Sequence, residues 1–491
     1  MENLHRARAL RIDGGVFASL IRKGRVTLSA GYWDDRRARS SNRRILAAML
    51  TVGTLSAIVK FASTLREVVI ARQFGAGDGL DAFLIAFLLP SVAINVVAGS
   101  FNAALIPTYI RVREREGEEE AQRLLSSILV WSAALLVVVS VLMALASPFV
   151  LPVLGSGFGA EKLALTRKLF FILLPVLPLS GLFVNWAAVL NAGGRFALAA
   201  TTPVMTPLAM MAIIFVCGDS WGIYAAAIAM IVGTLTEGAL LARGLCKQGI
   251  SPFPRWHGLS PATRQVMRQY APMIASGLFM NGTIIIDQAM AAMLGPGSVS
   301  VLNYGNRMSA AVIAIGAMAI STAFLPHFSR MAAASDWDGV QHTLKTYTRL
   351  ILMTSIPVTL ILIASSDFLV GLLLERGAFT ATNTIEVASV QRLYVLQMPI
   401  YLVSLLFVRL ISALRANHVL MWGTVINFTL NIALDYALMR WLGVAGIALS
   451  TSIVYSVSLS YLYFASRYAL KEAEKMSCSE DVLLSRAGST L

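Results

Sequence analysis

The sequence predicts an all-α polytopic membrane protein with about twelve transmembrane helices. Of its 491 residues, 57% are hydrophobic and only 13% are charged, and one soluble core cannot bury that much apolar surface. Apolar runs of about 20 residues, the length that crosses a bilayer, recur along the chain. The chain also repeats itself once, at an offset near 220 residues. These three observations define the fold class.

The apolar runs give twelve predicted spans. Several contain proline, which kinks a membrane helix and frees backbone groups to face a cavity; Pro90, Pro175 and Pro357 are examples. The predicted spans are 46–71, 80–109, 126–154, 166–192, 198–217, 221–243, 267–293, 301–327, 347–374, 388–414, 418–440 and 443–467.

The internal repeat groups these spans into two halves. FGAG at 74–77 matches LGPG at 294–297, and ALIPTYIRV from Ala104 matches AFLPHFSRM from Ala323. Two six-helix lobes of the same orientation are related by a pseudo-two-fold axis along the membrane normal. This parallel-repeat plan is typical of a transporter whose substrate path runs between its lobes.

The connections between spans predict the topology. Connections rich in Lys and Arg alternate with connections nearly free of them, so the positive-inside rule places both termini in the cytoplasm. The same loops account for the net charge of +14 without nucleic acid as a partner. The predicted units are a basic cytoplasmic extension (1–44), an N-lobe (45–245), a cytoplasmic linker (246–266), a C-lobe (267–467) and a cytoplasmic tail (468–491).

The stretch 60–107 sets ionisable residues among residues that otherwise look like membrane helix. Such groups are costly at membrane depth, and they indicate a water-filled path or a ligand site. Arg66 lies about 100° from the main polar face of the first helix. The residues of that face, at i, i+3, i+4 and i+7, are Lys60, Ser63, Thr64 and Glu67.

Cations inside a membrane cavity suit a phosphate or pyrophosphate group. We therefore expect Lys60, Arg66 and Arg307, which lies early in the eighth span, to bind substrate. Asp81 stands at the outer start of the second span, where it could pair with an arginine and close an outer gate together with Glu67. An ion pair of Glu67 with Lys60 or Arg66, and interfacial snorkelling for Asp81, are the structural alternatives.

A second polar cluster is predicted in the C-lobe. Asn431 and Asp435 are four residues apart and share one face of the eleventh helix. Asp287 in the seventh helix and Thr451 in the twelfth lie at a similar depth, roughly 10 to 12 Å from the outer ends. With the Ile447 carbonyl they supply only oxygen ligands, which suit a hard cation, here Na⁺ or a proton. A hydrogen-bonded polar knot is the alternative.

The sequence contains no motif that indicates the chemistry of a soluble enzyme. Cys217, Cys246 and Cys478 form no CxxC pair, so neither a disulfide framework nor a zinc site is indicated. The chain lacks a GxxxxGK[ST] loop, so no nucleotide is expected. We expect no cofactor beyond Na⁺, and a transporter rather than an enzyme.

Five motifs carry a family resemblance: LREVVIARQFGAGDGLDAF, GSFNAALIP, VLNAGGRFALAA, PGSVSVLNYGNRM and LLERGAFTA. Together they resemble the MurJ/MviN family, the lipid II flippases of the multidrug/oligosaccharidyl-lipid/polysaccharide exporter superfamily, over about residues 45–467. The resemblance implies a monomer in the bacterial cytoplasmic (inner) membrane. It also implies alternating access that moves undecaprenyl-pyrophosphate-linked peptidoglycan precursor from the inner to the outer leaflet, with membrane lipid as the other partner.

The resemblance also assigns site residues, and the chain departs from the family at some positions. Arg66 and Arg307 match cavity arginines and Asp81 matches an outer-gate aspartate. Lys60 stands where the family usually has arginine, and no cation lies near Ile94, where the family's second helix carries one. A flippase for another lipid-linked oligosaccharide and a cation-coupled drug antiporter therefore stay open as alternatives. The residues that resemble the family's sodium site are Asp287, Asn431, Asp435, Ile447 and Thr451.

Overall fold

A computed structural model describes residues 51, 53–193, 195–253, 255–258, 260–414 and 416–488. Regular structure within these residues is entirely helical. The predicted extension 1–44 and the start of the first predicted span lie outside them. The all-α prediction is therefore confirmed over the described chain.

Proline and glycine set the helix breaks of the N-terminal half. A turn at 75–77 separates the first two helices, and Pro175 separates α5 from α6. The helices are α1 (53–74), α2 (Asp78–Ala93), a π-helical turn (Ile94–Ala98), α3 (Gly99–Arg115), α4 (Glu118–Leu154), α5 (Ala160–Leu173), α6 (Val176–Ala192), α7 (Phe196–Thr201), a 3₁₀ turn (Thr202–Val204), α8 (Met205–Trp221) and α9 (Tyr224–Cys246).

Side-chain caps mark the starts of some helices in the C-terminal half. Ser260 caps α10 by accepting a hydrogen bond from the backbone N–H of Thr263, and Thr380 and Asn383 form a reciprocal capping box at the start of α14. The helices are α10 (Pro261–Ala292), α11 (Ser298–Ala333), α12 (Trp337–Ala364), α13 (Ser366–Leu374), α14 (Ala381–Val395), α15 (Gln397–Ala413), α16 (Asn417–Leu442) and α17 (Val444–Gly488).

Nine helical segments of the described chain are long and apolar enough to cross a membrane. The segments 53–74, α10 and α16 are not among them, and they carry the polar residues singled out above. The count of twelve spans and the pseudo-two-fold axis stay predictions. The nine segments are Asp78–Val97, Glu118–Leu154, Ala160–Asn191, Phe196–Trp221, Tyr224–Cys246, Ser298–Ala333, Trp337–Ala364, Ala381–Ala413 and Val444–Glu474.

Helices pack mainly within their own half of the chain. In the first half α8 packs on α9 and α2 on α5, and in the second half α16 packs on α17 and α11 on α15. Helix α10 joins the halves, because it contacts α3 and α4 as well as α16. One hydrophobic cluster also spans both halves, with Leu80 and Phe83 from the first and Val299 and Tyr394 from the second.

Several helices extend past the predicted spans. Helix α10 begins at Pro261 rather than at 267, and α4 begins at Glu118 rather than at 126. The predicted tail from 468 continues helix α17, which ends at Gly488. Hydropathy marks only the apolar part of a helix, whereas Glu, Lys and Arg continue it with good intrinsic propensity.

Candidate functional site

A cluster of three charged side chains joins α1 to α11. The Glu67 carboxylate accepts hydrogen bonds from both Arg66 and Arg307 through the same oxygen, Oε1. Arg307 also donates from Nε to Asn303 Oδ1 at 2.6 Å. Glu67 therefore holds one arginine from its own helix and one from the other half. The predicted ion pair between Glu67 and Arg66 is present, and Arg307 joins it.

A cavity of about 90 Å³ lies beside this cluster. Since one water occupies about 30 Å³ in the liquid, the cavity holds only a few waters. Arg66, Glu67 and Arg307 form its charged wall, and the rest of its lining is mainly apolar, with Ser300, Asn303 and Tyr304 as the polar members. In this conformation the cations are present but the space for a large head group is closed. The apolar lining includes Ile70, Leu80, Phe83, Leu84, Phe87, Met210 and Met230.

Asp81 connects the two halves at the start of α2. Its carboxylate is fully buried and accepts hydrogen bonds from the Gly297 N–H at 2.7 Å and the Ser300 N–H at 2.8 Å. The Ser300 hydroxyl adds a third at 2.6 Å. Helix α11 has no side-chain cap of its own, so Asp81 caps its N-terminus from the other half.

Lysine rather than arginine completes this contact. Lys162, near the start of α5, places its Nζ 2.8 Å from Asp81 Oδ2 and 2.6 Å from Asp78 Oδ1. The predicted pairing of Asp81 with an arginine is therefore wrong. The Asp81 carboxylate already accepts hydrogen bonds from two backbone amides, a hydroxyl and one ammonium group. It therefore does not need an arginine guanidinium as a further donor.

Backbone contacts extend this junction along the same end of the molecule. The Ala378 N–H donates to the Arg72 carbonyl at 2.8 Å, and the Tyr304 hydroxyl donates to the Gly75 carbonyl at 3.4 Å. Gly297 has a left-handed φ of 81°, and a Cβ there would lie 2.6 Å from the Ala76 carbonyl oxygen. We call these contacts, together with those of Asp81, the outer seam.

The remaining members of the predicted polar face of α1 do not join the charged cluster. Lys60 is exposed and forms no ion pair within the described residues. Ser63 and Thr64 donate their hydroxyls to the carbonyls of Val59 and Lys60, one turn back in the same helix. Their hydrogen bonds are satisfied locally, so they do not extend the binding surface, and a substrate contact of Lys60 stays a prediction.

The C-terminal cluster brings together side chains from three helices. Asp287 of α10 interacts with Asn431 and Asp435 of α16, and the Ser450 hydroxyl of α17 donates to Asp435 Oδ1. Asp435 and Ser450 are fully buried, and Asn431 is nearly so. The predicted meeting of α10, α16 and α17 at one depth is present in the structure.

Thr451 and Ile447 stand beside this cluster rather than at its centre. The Thr451 hydroxyl donates to the Ile447 carbonyl at 3.2 Å within α17 and also interacts with the Tyr394 side chain. Ser450, the preceding residue, makes the contact with Asp435. Sequence reasoning missed Ser450 because helix periodicity fixes a face only to within about one residue.

Three oxygen atoms of the C-terminal cluster lack hydrogen-bond partners although they are buried. They are Asp287 Oδ1, Asn431 Oδ1 and Asp435 Oδ2. A buried acceptor without a partner is costly, and two facing carboxylates add repulsion. All-oxygen donors suit Na⁺ or another hard cation. The described residues contain no group of three or more His, Cys, Asp and Glu that could hold a metal, so a thiolate or imidazole site is not indicated there.

Comparisons with known proteins point in one direction. A family model described as lipid II flippase MurJ matches residues 70–485. The chain is 25% identical over 419 residues to a probable lipid II flippase MurJ of Synechocystis sp., covering 83% of this chain and 78% of the relative. It is 27% identical over 356 residues to the lipid II flippase MurJ of Burkholderia cenocepacia, covering 70% and 68%.

Solved structures share the fold. A structure titled lipid II flippase MurJ, inward closed conformation, superposes with a TM-score of 0.74 at 21% identity, covering 87% of this chain and 90% of that one. An inward-facing MATE family multidrug resistance transporter of the MOP superfamily superposes with a TM-score of 0.70 at 15% identity, covering 86% and 99%. These similarities establish the fold class.

Proposed function

The chain belongs to the lipid II flippase MurJ family, and from this membership we propose that it moves lipid II from the inner to the outer leaflet of the bacterial inner membrane. It is a multi-pass membrane protein of a transporter family. The relatives named above are a probable lipid II flippase and a lipid II flippase. These similarities do not favour the alternative function, export of another lipid-linked oligosaccharide.

One observation supports a mechanism: Glu67 occupies the two arginines that would bind the substrate's pyrophosphate. Arg66 and Arg307 meet on a single carboxylate oxygen from opposite halves. A pyrophosphate competes with Glu67 for both guanidinium groups, because guanidinium pairs bidentately with phosphate oxygens. Binding of the substrate thus breaks the tie between α1 and α11 and favours separation of the halves.

The outer seam acts as the periplasmic gate in this proposal. Lys and Arg collect in the connections at the opposite end, which by the positive-inside rule face the cytoplasm together with both termini. Opening toward the periplasm requires Asp81 to leave the N-terminus of α11. The transporter then alternates between a state closed by Asp81 and a state in which Asp81 and Glu67 are released. We propose that a single chain does this as a monomer.

The C-terminal cluster would hold Na⁺ through Asp287, Asn431 and Asp435. The three buried oxygens without partners support this assignment, and the predicted ligand Thr451 directly follows Ser450, whose hydroxyl donates to Asp435. A bound cation supplies positive charge between the two carboxylates and so holds α10 to α16. Helix α10 also packs on the N-terminal half, so the angle of α10 can couple the site to the gate.

Complementation tests the proposed substrate. Expression of this chain in a strain depleted of its lipid II flippase should restore growth and cell shape, whereas Arg307→Ala at equal membrane abundance should not. Rescue of a polysaccharide-export mutant, without rescue of the flippase-depleted strain, would instead select another lipid-linked glycan. Drug resistance without either rescue would select the antiporter.

A further inference from the structure

A second, much larger cavity lies away from the charged cluster and the seam. It is a groove of about 1410 Å³ between α12, α15 and α17, and we call it the lateral groove. The transport path proposed above does not use it. Helices α12 and α17 are both long and apolar enough to cross a membrane, so the groove lies along helices that face lipid.

The lateral groove is charged at one end and apolar at the other. The basic end carries Lys345 and Arg349, one turn apart on α12, and Arg467 and Lys471, one turn apart on α17. Glu474 is the single carboxylate in its lining. None of the four cations forms an ion pair within the described part of the chain, so their charge is available to a ligand.

The apolar end follows directly along the same helices. Leu352, Met353 and Ile356 continue the wall from Arg349 on α12, and Phe464 and Leu459 continue it from Arg467 on α17. At 1.5 Å per residue, the α12 wall extends roughly 10 Å from the basic end. Met353 and Phe464 are 64% and 70% exposed, so large apolar side chains line an open groove.

We propose that the lateral groove binds an anionic phospholipid of the inner leaflet. Its phosphate would lie among Lys345, Arg349, Arg467 and Lys471, and one acyl chain would lie along the apolar wall. A basic pocket between membrane helices is the arrangement that recognises anionic head groups, and the groove matches an amphipathic ligand in both charge and polarity. The assignment of the lipid to the inner leaflet depends on the orientation proposed above. The assignment to an anionic phospholipid does not depend on it.

The test uses the purified full chain and native mass spectrometry. We would measure how much phosphatidylglycerol and phosphatidylcholine stay bound to the wild type, to a groove variant and to a control variant. The control variant loses the same number of positive charges, from exposed positions before and within the first turns of α10. We expect the groove variant to lose phosphatidylglycerol retention by about tenfold or more, because several cations act on one head group, and the control to lose little. The groove substitutions are Lys345→Gln, Arg349→Gln, Arg467→Gln and Lys471→Gln, and the control substitutions are Lys247→Gln, Arg255→Gln, Arg264→Gln and Arg268→Gln.

A charge-neutral variant tests the acyl part. Ser460 lines the groove and is exposed, so Ser460→Trp fills the groove without altering any cation and should also reduce phosphatidylglycerol retention. Equal loss in the groove and control variants, or full retention in Ser460→Trp, would overturn the proposal. So would displacement of the lipid by soluble glycerol phosphate, or co-purified polyprenyl pyrophosphate in place of phospholipid. Lipid retention is read without transport, so failure here leaves the proposed flippase activity unaffected.

Discussion

Two clusters of polar residues differ in the partners that they need. The Arg66, Glu67 and Arg307 cluster lies between the halves and contains both signs of charge, so Glu67 pairs with both arginines, although the buried Nε of Arg66 keeps no hydrogen-bond partner. The Asp287 and Asp435 cluster lies within the C-terminal half and contains only negative charge and neutral oxygens. It leaves buried acceptors without partners.

This difference indicates two separate roles. Contacts between the halves must break during each cycle, and a cluster whose opposite charges pair with each other can close the path without a ligand. Contacts within one half need not break, so a cluster that requires an added cation can report whether the cation is bound. We therefore propose that the first cluster acts as a gate and the second as a site for coupling or for stabilisation.

The largest effect is expected at the arginine contributed by α11. Arg307→Ala should reduce lipid II flipping by about 100-fold, because loss of one charged hydrogen-bonding partner costs on the order of 3 kcal/mol. Flipping in proteoliposomes measures it, with insertion and melting as folding controls. Arg264→Ala is the matched control, since Arg264 is exposed near the start of α10 and lies outside the charged cluster. Equal losses in both variants would contradict the special position of Arg307.

At the proposed cation site, we expect a change in the stability of the fold rather than in the opening of the gate. In the wild type, Na⁺ at about 100 times its dissociation constant should stabilise the fold by about 2.7 kcal/mol relative to choline. Asp435→Asn should remove that dependence and should melt no earlier without Na⁺, because it relieves repulsion with Asp287. Asp367→Asn, at an exposed carboxylate paired with Arg392, should keep the response. A sodium response that survives Asp435→Asn would exclude this cluster as the site.

The outer seam can be weakened at one of two neighbouring carboxylates. The measurement is labelling, by a thiol reagent added from outside, of a cysteine placed at Asn303 in a variant free of native cysteines. Asp81→Asn should raise this labelling by about tenfold, which corresponds to about 1.4 kcal/mol. Asp78→Asn is the control, because Asp78 contacts the same lysine but is 58% exposed, whereas Asp81 is fully buried. Labelling that rises equally in both variants would show that Lys162, and not the cap on α11, closes the seam.

The smallest effect concerns the backbone of the seam. Gly297 and Gly249 have similar left-handed φ angles of 81° and 74°, but only a Cβ at Gly297 would meet the other half. Gly297→Ala should therefore destabilise the fold by about 1 kcal/mol more than Gly249→Ala, since the similar cost of the left-handed backbone cancels in the comparison. Chemical denaturation of both variants measures the difference. No difference would mean that the Ala76 carbonyl moves aside freely.

Hydropathy and spacing predicted the helices and both clusters, because both depend on local patterns. The meeting of Asp287 with Asp435 follows from equal depth in their helices. The partners of Asp81 could not be predicted in the same way, since they come from α5 and from backbone amides of α11. One signal was available: Lys162 is a cation on the side where the connections are nearly free of cations.

Lys60 illustrates the opposite limit. Its spacing places it on one face with Glu67, yet Arg66, the immediate neighbour of Glu67, makes the ion pair. A long arginine side chain reaches across the angle that separates adjacent positions on a helix. An ideal helical wheel locates backbone positions and does not fix where a flexible guanidinium ends.

The π-helical turn at Ile94–Ala98 accounts for a small irregularity between the two repeats. Thirty positions separate Phe74 from Ala104, whereas twenty-nine separate Leu294 from the matching Ala323. The second repeat crosses this interval in the regular helix α11, and the first contains the π turn. A π turn accommodates one inserted residue without ending a helix. Under the predicted repeat, the two halves thus differ by a single-residue insertion, beside the position where the family resemblance implies an arginine.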